Sequence, residues 1–109
     1  MKNKISFKTL DGYLFLLPDE INFIKSEDIY AFVYYGGARH FINCSLKSLE
    51  EMLPRDSFLR CHRSYLVNLD RVVKFKRTNK FTLLLENGLE VPISRQKKEL
   101  VMRKLGIKE

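Results

Sequence analysis

Apolar and polar positions change period several times along this chain, and the changes mark its elements. Residues 4–10 alternate, with Ile5 and Phe7 set against Lys4, Ser6 and Lys8, which predicts a half-buried strand. Asp11-Gly12 is a hairpin dipeptide, because glycine accepts positive φ without a Cβ clash, and Tyr13 to Leu17 is the return strand. Pro18-Asp19-Glu20 turns the chain into a short strand over Ile21–Ile24. Ser26-Glu27-Asp28 breaks the alternation and reads as a loop. Tyr30–Tyr35 is apolar on both faces, which predicts a central strand covered on two sides. Gly36-Gly37 then turns the chain into a strand over Arg39–Asn43.

The period next becomes helical. Leu46, Leu49 and Leu53 form one stripe with Met52 beside them, Ser45 stands where an N-cap is needed, and Pro54 is the stop. Alternation resumes over Val72–Arg77 and Lys80–Leu85 around a Thr78-Asn79 turn. Asn87-Gly88 is the strongest hairpin signal in the chain, and it leads to a strand over Leu89–Ile93. Pro92 lacks the N–H that an interior ladder needs, so that strand lies at an edge or ends there. Ser94 reads as the cap of a last helix that reaches Leu105 and stops at Gly106. Short strands at close spacing with two minor helices predict one mainly β domain over residues 1–109, a sandwich or partly closed barrel of antiparallel sheets.

Between the first helix and the strand over Val72–Arg77 lies Phe58–Asn68, where Arg60, His62, Arg63, Ser64 and Asn68 are set among six apolar residues. Such a segment can be anchored at both ends while its middle presents donors suited to phosphate oxygens or base edges. Charge distribution points the same way. Residues 1–54 carry six Lys/Arg against seven Asp/Glu, a net of −1, and residues 55–109 carry 14 against six, a net of +8. The two sum to the +7 of the chain. The donors fall in three clusters: Arg60/His62/Arg63, Lys74/Lys76/Arg77/Lys80 and Arg95/Lys97/Lys98. The last sits at a helix start, where cations oppose the dipole. Either a phosphate docks there or solvent screens the charges.

Other chemistries find little support. Cys61 and His62 are neighbours, and neighbours on an extended chain point to opposite faces, so they make no nucleophile–base pair. Cys44, Cys61, His40 and His62 lack zinc-site spacing, no phosphate loop is present, and the expectation is no enzyme, no metal and no cofactor. Two cysteines make no disulfide framework, and no apolar run approaches the ~18 residues of a membrane span, so the expected location is the cytoplasm. Helix-turn-helix lacks its adjacent pair of amphipathic helices, and the aromatic sheet motif of RNA readers is missing. Loops of a β scaffold on double-stranded DNA fit best; a basic β module that binds RNA or an acidic protein stays open.

Phe58-Leu59-Arg60-Cys61-His62-Arg63-Ser64-Tyr65-Leu66-Val67-Asn68, followed by Val91-Pro92-Ile93-Ser94-Arg95, resembles the LytTR-type DNA-binding domain of bacterial transcription regulators. The resemblance covers nearly the whole chain. It implies stacked antiparallel sheets with short helices, whose loops enter successive major grooves of double-stranded DNA. It also implies Arg63 and Arg95 as base readers, arginine being suited to guanine O6 and N7 together. A third family contact falls on Ser26-Glu27-Asp28, where either Asp28 accepts from cytosine N4 or the two acids keep the loop back from DNA. Lys80 and Lys98 match positions that look like backbone contacts, and polarity and placement add His62, Ser64, Ser94 and Lys97 as phosphate ligands. Other polar residues have structural roles to weigh: Asn68 tying a turn, His62 bracing the loop through a neighbouring carbonyl, Arg60 pairing with Asp56 or Asp70. Tyr30, Tyr34 and Tyr35 read as core or core-edge. Such domains usually follow a phosphorylatable receiver, which these residues do not contain, and a second copy on a repeated DNA site is a further expected partner.

Overall fold

The computed structural model describes residues 3–108. Among them are ten strands: β1 (Ile5–Lys8), β2 (Tyr13–Leu16), β3 (Phe23–Glu27), β4 (Tyr30–Tyr35), β5 (Ala38–Ile42), β6 (Phe58–His62), β7 (Tyr65–Asn68), β8 (Val72–Arg77), β9 (Phe81–Leu85) and β10 (Glu90–Pro92). Helix α1 (Leu46–Met52) lies between β5 and β6, and α2 (Lys98–Lys104) follows β10. The strands make three antiparallel sheets: β1-β2, β5-β4-β3-β7-β6 and β10-β9-β8.

The five-stranded sheet is the middle layer, and its inner strands show why. Successive strand residues face opposite ways, so in β3 Ile24 joins one core and Phe23 the other, and in β7 Leu66 and Val67 divide the same way. The first core packs Ile24, Val33 and Leu66 against Phe7 and Leu16 of the hairpin and Leu49 of α1. The second packs Phe23, Cys61 and Val67 against Leu83, Leu85 and Val91 of the outer sheet and Val101 of α2. The middle strand of this sheet is therefore β3; β4 is interior but one place off centre.

Local chemistry sets the ends of elements. The Ser45 Oγ accepts the Ser48 N–H at 3.2 Å and starts α1. Leu46, Leu49 and Leu53 are buried as the stripe predicts, whereas Met52 lies outside it, 41% exposed. Gly106, at φ 76°, ends α2: its N–H reaches the Arg103 carbonyl and Ile107 N–H reaches that of Met102, closing the last turn. Asn68 is 1% exposed. Its side chain donates to the Ile21 carbonyl at 2.9 Å and accepts from Asp70 N–H at 3.0 Å, so it ties the turn after β7.

Two expected boundaries move. Ser26 and Glu27 belong to β3, paired with Ala31 and Tyr30, because ladder hydrogen bonds carry these polar residues along the strand. The connection is only Asp28-Ile29, with Asp28 in the left-handed region at φ 57°. At the other end, Ser94 makes no side-chain cap, and Arg95–Lys97 form a 3-10 turn before α2 begins at Lys98. β10 lies at a sheet edge, as Pro92 requires.

Candidate nucleic-acid interface

Hairpins β3–β4 and β6–β7 lie side by side because β3 pairs with β7, Lys25 opposite Tyr65. Ser26 N–H continues that ladder to the Ser64 carbonyl at 2.8 Å, so the Asp28-Ile29 and Arg63-Ser64 turns project from the same end of the sheet. On the far side of β6, Ser94 N–H donates to the Cys61 carbonyl at 2.9 Å and moors the Ser94-Arg95 segment to the root of the Arg63 turn. Three segments distant in sequence thus form one row: Asp28-Ile29, Arg63-Ser64, Ser94-Arg95.

The middle turn is held from several directions. A register shift between Arg60 and His62 puts a bulge at Cys61, a device that twists the strand end and re-aims its side chains. Cys61 is fully buried, its Sγ 3.5 Å from the Pro92 carbonyl, and burial pushes its thiol up to about 12. His62 Nδ1 accepts the Ser64 N–H at 3.1 Å, and its ring meets Tyr65 edge-on, with centroids 5.5 Å apart. The brace runs from amide to imidazole, opposite in direction to the expected bond to a carbonyl. In the neutral ring this leaves Nε2–H as the free donor.

Arg60 pairs with neither Asp56 nor Asp70. Its Nε and Nη2 both donate to the Arg63 carbonyl, the former at 3.2 Å, and its Nη1 reaches Glu50 Oε1 of α1, also at 3.2 Å. Proximity along the chain suggested the aspartates, but packing of α1 beside β6 brings Glu50 closer. The guanidinium is thereby committed to holding the turn. Glu50 is a partner of Arg60 that sequence reasoning missed, and no local signal marked it, since the pair forms only when helix and strand pack.

A groove of about 420 Å³ runs between the turn and the 3-10 segment, lined by Arg60, His62, Arg63, Ser94 and Lys97 among others. The first and third donor clusters therefore share one surface. Arg63 and Arg95 are exposed, and among the described residues neither guanidinium is paired with a carboxylate. Lys80 and Lys98 flank this surface without lining the groove. Lys98 Nζ sits 4.7 Å from the centre of the Phe81 ring, next to Lys80, and Ile93 N–H binds the Phe81 carbonyl at 3.0 Å. In the second cluster Lys76 is withdrawn: it reaches Glu90 at 3.0 Å, and that bond, with one from Thr82, lowers the Glu90 carboxyl below its ordinary value. The described residues hold no cluster of three or more metal-ligating side chains, and no helix among them is long and apolar enough to cross a membrane.

The family model of the LytTr DNA-binding domain matches residues 11–106. This chain belongs to that family. The Escherichia coli K12 transcriptional regulatory protein BtsR is 33% identical over 98 residues, 87% of this chain and 39% of that protein. The sensory transduction protein LytT of Enterococcus faecalis is 25% identical over 99 residues, 89% of this chain and 41% of that protein. The chain thus spans about two fifths of the length of the curated relatives it matches. A solved LytTr DNA-binding domain from Bacillus cereus superposes with a TM-score of 0.82 at 28% identity, covering 98% of this chain and all of that one. A LytTr domain is a DNA-binding regulatory domain, so the family points away from an enzyme. The mainly β fold with two short helices is the LytTr fold.

Proposed function

We propose that this LytTr domain binds double-stranded DNA sequence-specifically from the major groove and serves a bacterial transcription regulator. The observation that carries the reading is the row of three connections, joined by the Ser26–Ser64 and Ser94–Cys61 backbone bonds, with unpaired arginines on two of them. Arg63 and Arg95 grip guanine O6 and N7, and Asp28, exposed on the third connection, accepts from cytosine N4. His62 through Nε2, with Ser64, Ser94 and Lys97 around the groove, holds phosphate oxygens and sets the register; Lys80 and Lys98 extend that grip to one side. The body is 46 Å in its longest dimension, more than the ~34 Å of one DNA turn, so a single copy is large enough to reach successive major grooves.

The regulator role rests on the relatives, named as regulatory and sensory transduction proteins and more than twice as long as this chain. A receiver domain coupled to this one, a second copy on a repeated site and action in the cytoplasm belong to the same proposal. The deciding experiment is selection from a random duplex library. Recovery of an enriched motif supports the reading. Retention of duplexes with no enriched motif, or preference for RNA or an acidic protein, sinks it.

A further inference from the structure

The connection between β3 and β4 contains a residue that the fold does not account for. A two-residue hairpin turn ordinarily takes glycine, asparagine or aspartate, and Asp28 supplies the left-handed position at φ 57°. Beside it stands Ile29, β-branched and apolar, 73% exposed and belonging to neither core. Burial does not hold it there, and the turn does not call for it, since only Asp28 takes the left-handed conformation.

Exposure alone is not the argument, since Leu10 is 79% exposed on the β1–β2 hairpin. That hairpin joins the sheet at its β5 edge, through Asn43 N–H to the Lys8 carbonyl at 2.8 Å. Ile29 instead stands in the row with Arg63 and Arg95, one strand from the Arg63 turn, because Ser26 N–H holds the Ser64 carbonyl. A DNA edge that is polar at its other two stations has an aliphatic group at the third. In the major groove the one apolar feature of a base edge is the thymine C5-methyl.

We infer that Ile29 is a specificity-determining residue that reads a thymine methyl by apolar contact. The inference rests on the proposed DNA-binding reading. It gives the third connection two chemistries side by side, a carboxylate acceptor at Asp28 and a methyl contact at Ile29. The repulsion that Asp28 brings near phosphates is then offset by apolar contact away from the backbone.

The test uses the duplex recovered from library selection, with each thymine replaced in turn by deoxyuridine, which lacks only that methyl. For the parent chain, one replacement should weaken binding about fourfold, the size expected for one buried methyl. Ile29→Ser should lose that sensitivity at that position and bind the thymine and deoxyuridine duplexes equally, whereas Ile29→Val should retain most of it. If Ile29→Ser keeps the parent's thymine-to-deoxyuridine ratio at every position, the assignment is overturned while sequence-specific binding stands. If the parent enriches no motif, the DNA reading itself fails and this inference falls with it. Ile29 packs against neither core, so both variants should keep the parent's thermal midpoint.

Discussion

Arg63 and Arg95 share a chemistry but are supported differently. Arg63 sits on a turn fixed by Arg60 and His62, and Arg95 opens a 3-10 turn moored through Ser94. Arg63→Ala and Arg95→Ala should each weaken binding to the selected duplex by about 1–3 kcal/mol and relax preference at one base position; titration against single-base variants of that duplex reads both effects. Asn68 contributes differently. Its amide closes one buried and one partly buried hydrogen bond, so Asn68→Ala leaves the Ile21 carbonyl without its side-chain donor and should cost about 1–3 kcal/mol in urea unfolding. Cys61 yields a pH prediction. Its thiol ionises near 9.0 when unfolded and near 12 when folded, so between those values the unfolded chain binds fewer protons and stability falls as pH rises. The stability difference between the parent and Cys61→Ala should stay constant below pH 9 and shift against the parent above it, as measured by the urea midpoint. In the native state at neutral pH the buried thiol should resist alkylation until denaturant opens the second core.

Among the elements, α1 has a task beyond covering a core. Glu50 on its exposed side meets Arg60, whose other nitrogens hold the Arg63 carbonyl. Glu50→Gln removes a partly exposed ion pair, so its effect on stability should be only about 0–1 kcal/mol. Its effect on the turn should be larger: amide resonances of Arg63 and Ser64 should shift and broaden, and DNA affinity should fall although Glu50 is not assigned a DNA contact. Unchanged resonances in that variant would remove Glu50 from the account of turn geometry and leave Arg60 to hold the turn by itself. The outer sheet has its own lock in Glu90, bonded by Lys76 and Thr82. With its carboxyl lowered, that contribution is present above the ordinary carboxylate range and is lost as pH falls through the folded value.

At the scale of the molecule, charge and topology act together. The basic half, residues 55–109, supplies β6, β7, the outer sheet, α2 and the turns between them, while the near-neutral N-terminal half supplies the hairpin, α1 and most of the middle sheet. Phosphate contacts release counterions, so Lys98→Ala should weaken all duplexes evenly and make the salt dependence shallower by about one unit of slope; binding isotherms at several salt concentrations measure it. A change in base preference instead would move Lys98 from backbone grip to base reading.

Much of this architecture can be read along the chain, because alternation, Asn87-Gly88 and the leucine stripe are local and report directly which positions must be buried or turned. The paired motifs around Arg63 and Arg95 identify the family for the same reason: they lie in short windows. The end of β3 is not legible along the chain because Ser26 and Glu27 are polar, and their place is set by pairing with Ala31 and Tyr30 across the sheet. Ser94 resembles a cap by residue type, but Arg95–Lys97 form a 3-10 turn and α2 begins only at Lys98. Arg60 has nearby aspartates in sequence and a glutamate in space. The sequence by itself thus determined the strands, the turns, the basic half and the two arginine motifs, all products of interactions within a few residues. Only the tertiary structure decided that Asp28-Ile29, Arg63 and Ser94-Arg95 stand in one row, that Glu50 holds the clamp and that Ile29 is left uncovered. Those facts depend on which strands pair and which faces pack, where loop closure brings together residues that share no local signal.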